Sequence, residues 1–266
     1  MKLLNPSTNP HGTTFWRALL KCPTLARHYT AGNRGAPSDA QARGILLHLV
    51  LAHHYAKRNR LPNFRQDGEA LTAGEVMTPE DAAHALAEDQ PVFRPWLGPV
   101  VEAYGAYCTY WGESDFDQVL ALEHTLHAIG EYPVPYCQRA DLLVKRQDKV
   151  WIIDHKGSGY SGGSSLFEQV SIDAQFVGYH WLGRQRFGKK FGGVILNQVS
   201  FEKGFRFKRA EIPVLPQVLA DFEYAIRTAG DEWNRLQGKP MPKRFHSEVC
   251  WDRYGKCDHF DSCRGR

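Results

Sequence analysis

Apolar residues recur at three- and four-residue spacing through the first part of the chain. This spacing predicts amphipathic helices over residues 14–30, 40–58 and 78–114. The first helix is expected to break at Cys22-Pro23, and the third to divide near Pro91 and Pro95. Residues 61–76 are polar and contain Gly and Pro, which predicts a loop. The chain is therefore expected to begin with a helical region of about 115 residues.

Alternating apolar and polar residues then replace the helical spacing. They predict strands over 119–128, 139–146, 150–156, 192–200 and 204–212. A turn at Gln147-Asp148-Lys149 makes a hairpin of the second and third strands, and a Gly/Ser loop follows at 157–165. Further helices are predicted over 167–187 and 213–236, before an irregular tail. This order predicts an α/β protein with a central mixed β-sheet flanked by helices.

The composition is that of a folded chain. Hydrophobic residues make up 42% and aromatic residues 12% of 266 positions, which excludes an intrinsically disordered protein. The net charge of +4 suits a nucleic-acid partner, although many enzymes with neutral substrates share it. No apolar run reaches the roughly 20 residues that cross a bilayer. The N-terminus lacks the apolar segment of a signal peptide, so a cytoplasmic location without a membrane partner is expected.

Two acidic residues and a lysine fall on the predicted hairpin. In WIIDHK, Asp154 and Lys156 share one face of the strand, and His155 points to the other. Asp141, on the preceding strand, can lie opposite Asp154. Facing carboxylates repel unless a cation neutralises them, and Mg²⁺ or Mn²⁺ prefers such ligands. The pattern favours a site for phosphodiester hydrolysis, with an ordinary ion pair on a strand as the alternative.

Five segments resemble, in order, the motifs of the RecB-type branch of the PD-(D/E)xK nuclease superfamily. That branch includes phage exonucleases and the CRISPR-adaptation nucleases. The segments are GILLHLVL (44–51), LEHTL (122–126), QRADLLV (138–144), WIIDHKGS (151–158) and DAQFVGYHW (173–181). Each motif is weak alone, and the ordered set is specific. Gln138 departs from the pattern, because the family usually has Gly there.

The resemblance implies a restriction-endonuclease-like core within a single nuclease domain. The domain would span 1–266, with the helical part at about 1–115, the core at about 116–212, and a helix and tail at about 213–266. It implies that Mg²⁺ or Mn²⁺ binds His48, Asp141, Asp154 and the backbone carbonyl of His155. Lys156 would be the catalytic lysine, Gln175 and Tyr179 would contact the substrate, and Glu123 is a further candidate.

Structural interpretations remain open for the weaker members of this set. His48 lies in a Leu-rich helix, where a histidine of the core is the ordinary explanation. Glu123 could be a plain strand charge, and Tyr179 and Trp181 could be core aromatic residues. The neighbouring motifs favour function for His48 and Gln175.

Half of the six cysteines lie close to the end of the sequence. They are Cys250, Cys257 and Cys263. Some RecB-type nucleases hold a [4Fe–4S] cluster with one cysteine before the core and three after it, and Cys22 with the tail resembles that arrangement. Four thiolates also suit Zn²⁺, with His246 or His259 as alternative ligands, and free thiols are the third interpretation. Cys108 and Cys137 are expected in the core.

Basic residues cluster around the predicted site, and the last of them alternate with phenylalanines. They include Lys145, Arg146, Arg184, Arg186, Lys189, Lys190, Lys203, Arg206, Lys208 and Arg209, beside Phe201, Phe205 and Phe207. Phosphate neutralisation and base stacking are how single strands are bound, although part of this set could be a solvated face.

The function predicted from the sequence is a metal-dependent DNA exonuclease. It would act in DNA processing or recombination in a bacterial or phage-infected cytoplasm, with recombination or helicase partners. The alternatives are a non-catalytic DNA-binding scaffold that has kept the fold, and a zinc-bearing interaction protein. The two carboxylates and the lysine are all present, which favours the enzyme.

Overall fold

The computed structural model describes most of the chain. It covers residues 12–32, 37–58, 64–66, 69–71, 75–112, 115–116, 118–158, 171–201, 204–240, 250–252, 255–257 and 259. Within these residues no helix is long and apolar enough to cross a membrane.

Seven α-helices occur in the described part of the chain. They are α1 (Thr13–Lys21), α2 (Pro23–Thr30), α3 (Asp39–Arg58), α4 (Pro79–Asp89), α5 (Arg94–Trp111), α6 (Ala174–Phe187) and α7 (Pro216–Arg235). Proline occupies the first turn of α2, α4, α5 and α7, where its missing N–H costs no helical hydrogen bond. Short 3₁₀ turns precede α5 at Pro91–Phe93 and follow α6 at Gly188–Lys190.

Five strands form the central sheet in the order in which they occur along the chain. They are β3 (Val119–His127), β4 (Cys137–Arg146), β5 (Lys149–Ser158), β6 (Phe191–Ser200) and β7 (Arg206–Glu211). All neighbours pair antiparallel except β5 and β6, which are parallel and connected through α6. Two-stranded pairs lie outside this sheet, β1 (Phe64–Gln66) with β2 (Glu69–Leu71) and β8 (Trp251–Asp252) with β9 (Gly255–Lys256).

Helices cover both faces of the sheet and form two cores. On one face α3, α4 and α5 pack against alternate strand residues such as Leu142, Val144 and Ile153. On the other face α1, α6 and α7 pack against the intervening ones, such as Leu143 and Ile152. Burial on both faces explains why β5 reads as a nearly continuous apolar run. This arrangement confirms the predicted mixed sheet flanked by helices.

Some predicted boundaries were wrong. The loop predicted for 61–76 contains β1 and β2, because a short hairpin can be held by backbone pairing without an apolar pattern. The helix predicted from residue 167 begins at Ala174, since Asp173 is extended and its side chain caps the Gln175 N–H. Residues 159–170, which include most of the predicted Gly/Ser loop, lie outside the described part of the chain.

The hairpin between β4 and β5 has a two-residue turn. Arg146 already pairs with Lys149, so Gln147 and Asp148 are the turn residues. Both have positive φ, 50° and 58°, as a type I′ turn requires. This turn sets the β4–β5 register and so determines which residues face each other at the opposite end.

Candidate metal centre

β3 and β4 have irregular geometry where their acidic residues face each other. Leu122 pairs with Leu142, and His124 with Ala140, so Glu123 lies opposite Asp141. Ala140 and Leu142 pack into different cores, although residues two apart normally share a face. Glu123 has a φ of 45°, which is strained for a residue with a side chain. The pairing stays in register on both sides of Glu123 and Asp141, so the irregularity is local to these two residues.

His48 of α3 completes a group of three ligands with these acids. One ligand atom from each of His48, Glu123 and Asp141 lies within 4.8 Å of the other two. His48 Nδ1 is 3.3 Å from Asp141 Oδ2, and Arg139 Nε is 2.8 Å from Glu123 Oε2. Two carboxylates and an imidazole, close enough to surround one ion, form a donor set that suits Mn²⁺ or Mg²⁺.

Asp154 and Lys156 form an ion pair beside this group. Lys156 Nζ lies 2.7 Å from Asp154 Oδ2. Gln175 Nε2 donates to Asp154 Oδ1 at 2.8 Å, and the Tyr179 hydroxyl lies 3.1 Å from the same oxygen. Asp154 is therefore held from α6, and the structure places it outside the group of three ligands defined by His48.

The backbone between Asp154 and Lys156 is tied to Asp141. The backbone pairing of β4 and β5 ends with Leu142 and Ile153. Beyond it, the Asp141 side chain takes the place of a backbone partner. Asp141 Oδ2 accepts a 2.6 Å hydrogen bond from the His155 N–H. The predicted residues therefore converge where β4 and β5 stop pairing; they are Asp141, Asp154, Lys156, Gln175 and Tyr179.

The charges of the site perturb one another strongly. Burial would lower the pKa of His48, but the charge and hydrogen bond of Asp141 outweigh it and raise the pKa to about 9. Burial would raise the pKa of Asp141, but His48 holds it below its usual value. Burial raises the pKa of Asp154 despite the opposing charge of Lys156. The carboxylate of Asp141 therefore favours positive charge at the position of His48.

The His155 side chain lies on the other face of β5. It is 1% exposed, parallel to the Tyr55 ring at 5.9 Å between centroids, and its Nδ1 is 2.7 Å from Asn197 Nδ2. Burial lowers the pKa of His155 to about 3, so the ring is neutral. Among the residues that the structure describes, its Nε2 has no hydrogen-bond partner. The His155 side chain therefore has no part in the metal binding predicted for the backbone carbonyl of the same residue. That metal binding stays a prediction.

Arg43 is a candidate that the sequence analysis missed. Its guanidinium carbon lies 5.2 Å from the Trp96 ring centroid and 4.8 Å from that of Phe201. A Cβ placed on Gly157 would lie 3.3 Å from both Leu47 and Phe201, so the Arg43 end of α3 approaches the end of β5. Arg43 forms no ion pair with any residue that the structure describes. Its one sequence signal is its place directly before the GILLH motif.

The basic residues predicted to contact DNA divide into two kinds. Lys145 and Arg146 are surface residues that pair with Asp148 and Glu211. Arg209 is internal, because its side chain is 12% exposed and lies 2.6 Å from Asp115. It was wrong to place Arg209 on a DNA-facing surface. Lys203 lies outside the described residues.

The phenylalanines beside these basic residues belong to the core. Phe201, Phe205 and Phe207 are partly buried and pack against the α3–α5 side. They are therefore committed mainly to packing, and base stacking by the whole set is not supported.

α2 contacts the described residues that follow α7. Arg27 of α2 donates to the Leu236 and Lys239 carbonyls, and the His28 ring stacks on His259 at 3.9 Å. Cys22 is buried between α1 and α2, and the Cys257 N–H donates to the Cys250 carbonyl at 2.9 Å. Cys263 lies outside the described residues. Cys137 is buried, as predicted, and Cys108 is partly buried.

Comparison with known proteins gives one family. A model of the PD-(D/E)XK nuclease superfamily matches residues 15–264. Among curated proteins no sequence matches significantly.

Solved structures provide a match of fold. A crystal structure from Eubacterium rectale, provisionally named as an exonuclease, aligns with a TM-score of 0.54 and 12% identity. The alignment covers 96% of this chain and 88% of that chain. A second crystal structure, of SSO0001, has a TM-score of 0.32 and 15% identity, covering 60% of this chain and 72% of that chain. It is too dissimilar to support an argument.

Proposed function

The chain belongs to the PD-(D/E)XK nuclease superfamily, and we propose that it is a metal-dependent DNA exonuclease. The observation that carries the proposal is the convergence of His48, Glu123 and Asp141 within 4.8 Å, beside the ion pair of Asp154 and Lys156. Isolated acidic clusters are common in proteins. A histidine, two facing acids and a neighbouring lysine in one place are far more specific.

The donor set defines which residues would hold the metal ion. His48, Glu123 and Asp141 offer one nitrogen and two carboxylates. Asp154 lies outside this group and would be a further ligand, as the family resemblance implies. A bound divalent cation would polarise a phosphoryl oxygen and lower the pKa of a water. The negative charge of Asp141, which raises the pKa of His48, would also attract a cation, and the metal ion would have to displace the His48 proton to bind its nitrogen.

The remaining side chains have roles that follow from their contacts. Lys156, whose side chain is 36% exposed, can reach a water or a phosphate oxygen while Asp154 holds its charge in place. Gln175 and Tyr179 orient Asp154 from α6. In hydrolysis the water oxygen bonds to phosphorus, the phosphorus bond to the leaving oxygen breaks, and that oxygen takes a proton.

A nucleic-acid substrate also suits the surroundings of the site. Arg43 presents a guanidinium oriented by Trp96 and Phe201, at the same end of the sheet. Arg is a preferred phosphate ligand because its planar donors match phosphate oxygens. We propose DNA as the substrate, attacked from an end, as in the exonucleases of the RecB-type branch.

We further propose that Cys22, Cys250, Cys257 and Cys263 hold a [4Fe–4S] cluster. The contacts of Arg27 and His28 with the C-terminal segment support it, since they bring α2 toward the tail that carries the other cysteines. Such a cluster would supply a covalent tie between the chain ends. Zinc on the same thiolates is the competing assignment.

The biological setting proposed is DNA processing or recombination. The protein would work in the cytoplasm of a bacterium or a phage-infected host, and a helicase or recombination protein would supply unwinding. This part of the proposal rests on the resemblance to the RecB-type branch.

The proposal is tested by digesting end-labelled DNA with the purified protein. We expect stepwise shortening that needs Mg²⁺ or Mn²⁺ and stops with EDTA. Asp154→Asn and Lys156→Ala should lower the rate at least about a hundredfold, because each removes a group at the reacting centre. Glu211→Gln, an exposed acid on β7, is the matched control and should leave the rate unchanged. DNA binding without cleavage under every metal would favour the scaffold instead.

A further inference from the structure

A buried chain of hydrogen bonds links Arg209 of β7 to the His155 ring. Arg209 Nε donates to Asn197 Oδ1 at 3.1 Å, and Asn197 Nδ2 is 2.7 Å from His155 Nδ1. Asn197 and His155 are 0% and 1% exposed, so water does not compete for these groups. They are neighbours on the parallel strands β6 and β5.

The direction of each hydrogen bond follows from Arg209. A guanidinium has only donors, so the atom of Asn197 that faces it is the carbonyl oxygen. The amide NH₂ of Asn197 must then face His155, and His155 Nδ1 must accept. The proton of the neutral ring is therefore on Nε2. A proton on Nδ1 would place two donors against each other at 2.7 Å.

Two tyrosines extend these hydrogen bonds to Asp115, and the direction of their hydrogen bonds is also set by Arg209. Tyr107 Oη accepts from Arg209 at 2.6 Å and from Asn197 Nδ2 at 3.1 Å, so its own proton goes to Tyr55 Oη at 2.6 Å. Tyr55 then donates to Asp115 Oδ1 at 2.9 Å. From Arg209 through Asn197 and the tyrosines to Asp115, each of these donors has an acceptor, and reversing the Asn197 amide would set its NH₂ against the Arg209 guanidinium. The His155 Nε2–H has no acceptor among the residues that the structure describes.

The chain ends at the strand segment that carries the site. His155 lies between Asp154 and Lys156, and its backbone N–H donates to Asp141. We propose that Asn197, oriented by Arg209, is a positioning residue that fixes His155 as the Nε2–H tautomer and so holds the backbone between Asp154 and Lys156. Its effect on catalysis rests on the proposed nuclease function, whereas the tautomer does not.

The first test reads the tautomer directly. Long-range ¹H–¹⁵N spectra of the full chain with ¹⁵N-labelled histidine distinguish a protonated from an unprotonated ring nitrogen. In the wild type we expect His155 to carry its proton on Nε2. In Asn197→Asp, the carboxylate keeps its contact with Arg209 and presents a second oxygen to His155, so the proton should move to Nδ1. His180, whose Nε2 lies 2.7 Å from the Ile212 carbonyl, is the internal control and should not change.

The second test reads the positioning role. With DNA at saturating metal, Asn197→Asp should lower kcat by about tenfold and leave KM nearly unchanged, as loss of an orienting partner typically does. A wild-type ring protonated on Nδ1, or a variant with an unchanged tautomer, would overturn the proposal. An altered tautomer with unchanged kcat would overturn the positioning role.

The two tests separate this proposal from the nuclease function. If the wild type cleaves no DNA, the nuclease assignment fails while the spectra still decide the tautomer. If Asn197→Asp does not fold, the wild-type spectrum alone decides whether Arg209 sets the direction of the chain.

Discussion

At the scale of single residues, the site depends on positions where the strand geometry is irregular. Glu123 has a positive φ, and the alternation of β4 breaks at Asp141, so two carboxylates share one side of the sheet end. Strain of this kind persists where the surrounding structure enforces it, and it is common at functional sites. Here the enforcing contacts are Arg139 on Glu123 and the His155 N–H on Asp141.

Gly178 is a residue whose size controls the position of α6. A Cβ there would lie within 2.6–2.8 Å of the Gln138 amide and would overlap the Tyr136 hydroxyl, and both side chains are buried. We predict that Gly178→Ala destabilises the protein by about 1–3 kcal/mol, as overpacking does. Thermal unfolding measures it.

Gly105→Ala is the matched control for that prediction. Gly105 lies in α5 with nothing within 4 Å of an added Cβ. Alanine should therefore stabilise the helix by about 0.5–1 kcal/mol. Equal effects of the two substitutions would contradict the packing described for α6, which also carries Gln175 and Tyr179 to Asp154.

At the scale of elements, side-chain periodicity predicted the five sheet strands and most helices, because both faces of the sheet are covered and each strand has an apolar signal. The two-residue spacing of Asp154 and Lys156 predicted that they share one face of β5, and there they form an ion pair. The predictions for residues 61–76 and for the start of α6 were wrong. The β1–β2 pair depends on backbone pairing, and the start of α6 depends on the Asp173 cap.

Other features had no sequence signal of their own. The ion pair of Asp115 and Arg209 joins residues 94 positions apart, and each alone reads as a surface charge. His48 entered the predicted site through the family resemblance and not through its helical spacing. Arg43 was missed because the rings around it, Trp96 and Phe201, come from distant parts of the chain.

Asp115 connects three elements and predicts a pH dependence of stability. It accepts from Tyr55 of α3 and Arg209 of β7, and it follows α5 in the chain. Burial would raise the pKa of Asp115, but hydrogen bonds from His54 and Arg209 outweigh it and lower the pKa well below its usual value. Its contribution is therefore present above about pH 4, the unfolded value, and is lost as the pH falls further.

The measurement compares the wild type with Asp115→Asn by urea unfolding from pH 7 to pH 3. At pH 7 the variant should be less stable by about 3–5 kcal/mol, since it leaves Arg209 buried without its partner. The difference should shrink as the pH falls below about 4. A difference that stays constant across this range would show that the Asp115 charge is not what stabilises the three elements.

At the scale of the whole molecule, two regions are held by different contacts. One is the candidate metal centre, and the other is the junction between α2 and the residues after α7. The metal centre depends on α3, α6, β3 and β4, whereas the junction depends on Arg27, His28 and their partners. The two regions should therefore respond separately to substitution.

Cys22→Ser tests this separation together with the cluster. We expect the anaerobically purified wild type to be brown and to contain about four iron ions per chain. Cys22→Ser should lose colour and iron and become more sensitive to proteases at both ends. Cys137→Ala, in β4, should keep the colour. A colourless wild type that contains zinc would reject the iron–sulfur assignment.

The most direct test of the proposed site is the position of Mn²⁺ in a crystal of the full chain, read from its anomalous scattering. The account predicts a peak about 2.0–2.3 Å from ligand atoms of His48, Glu123 and Asp141. A peak elsewhere, or none at these residues with millimolar Mn²⁺, would contradict the assignment of this end of the sheet as the metal centre.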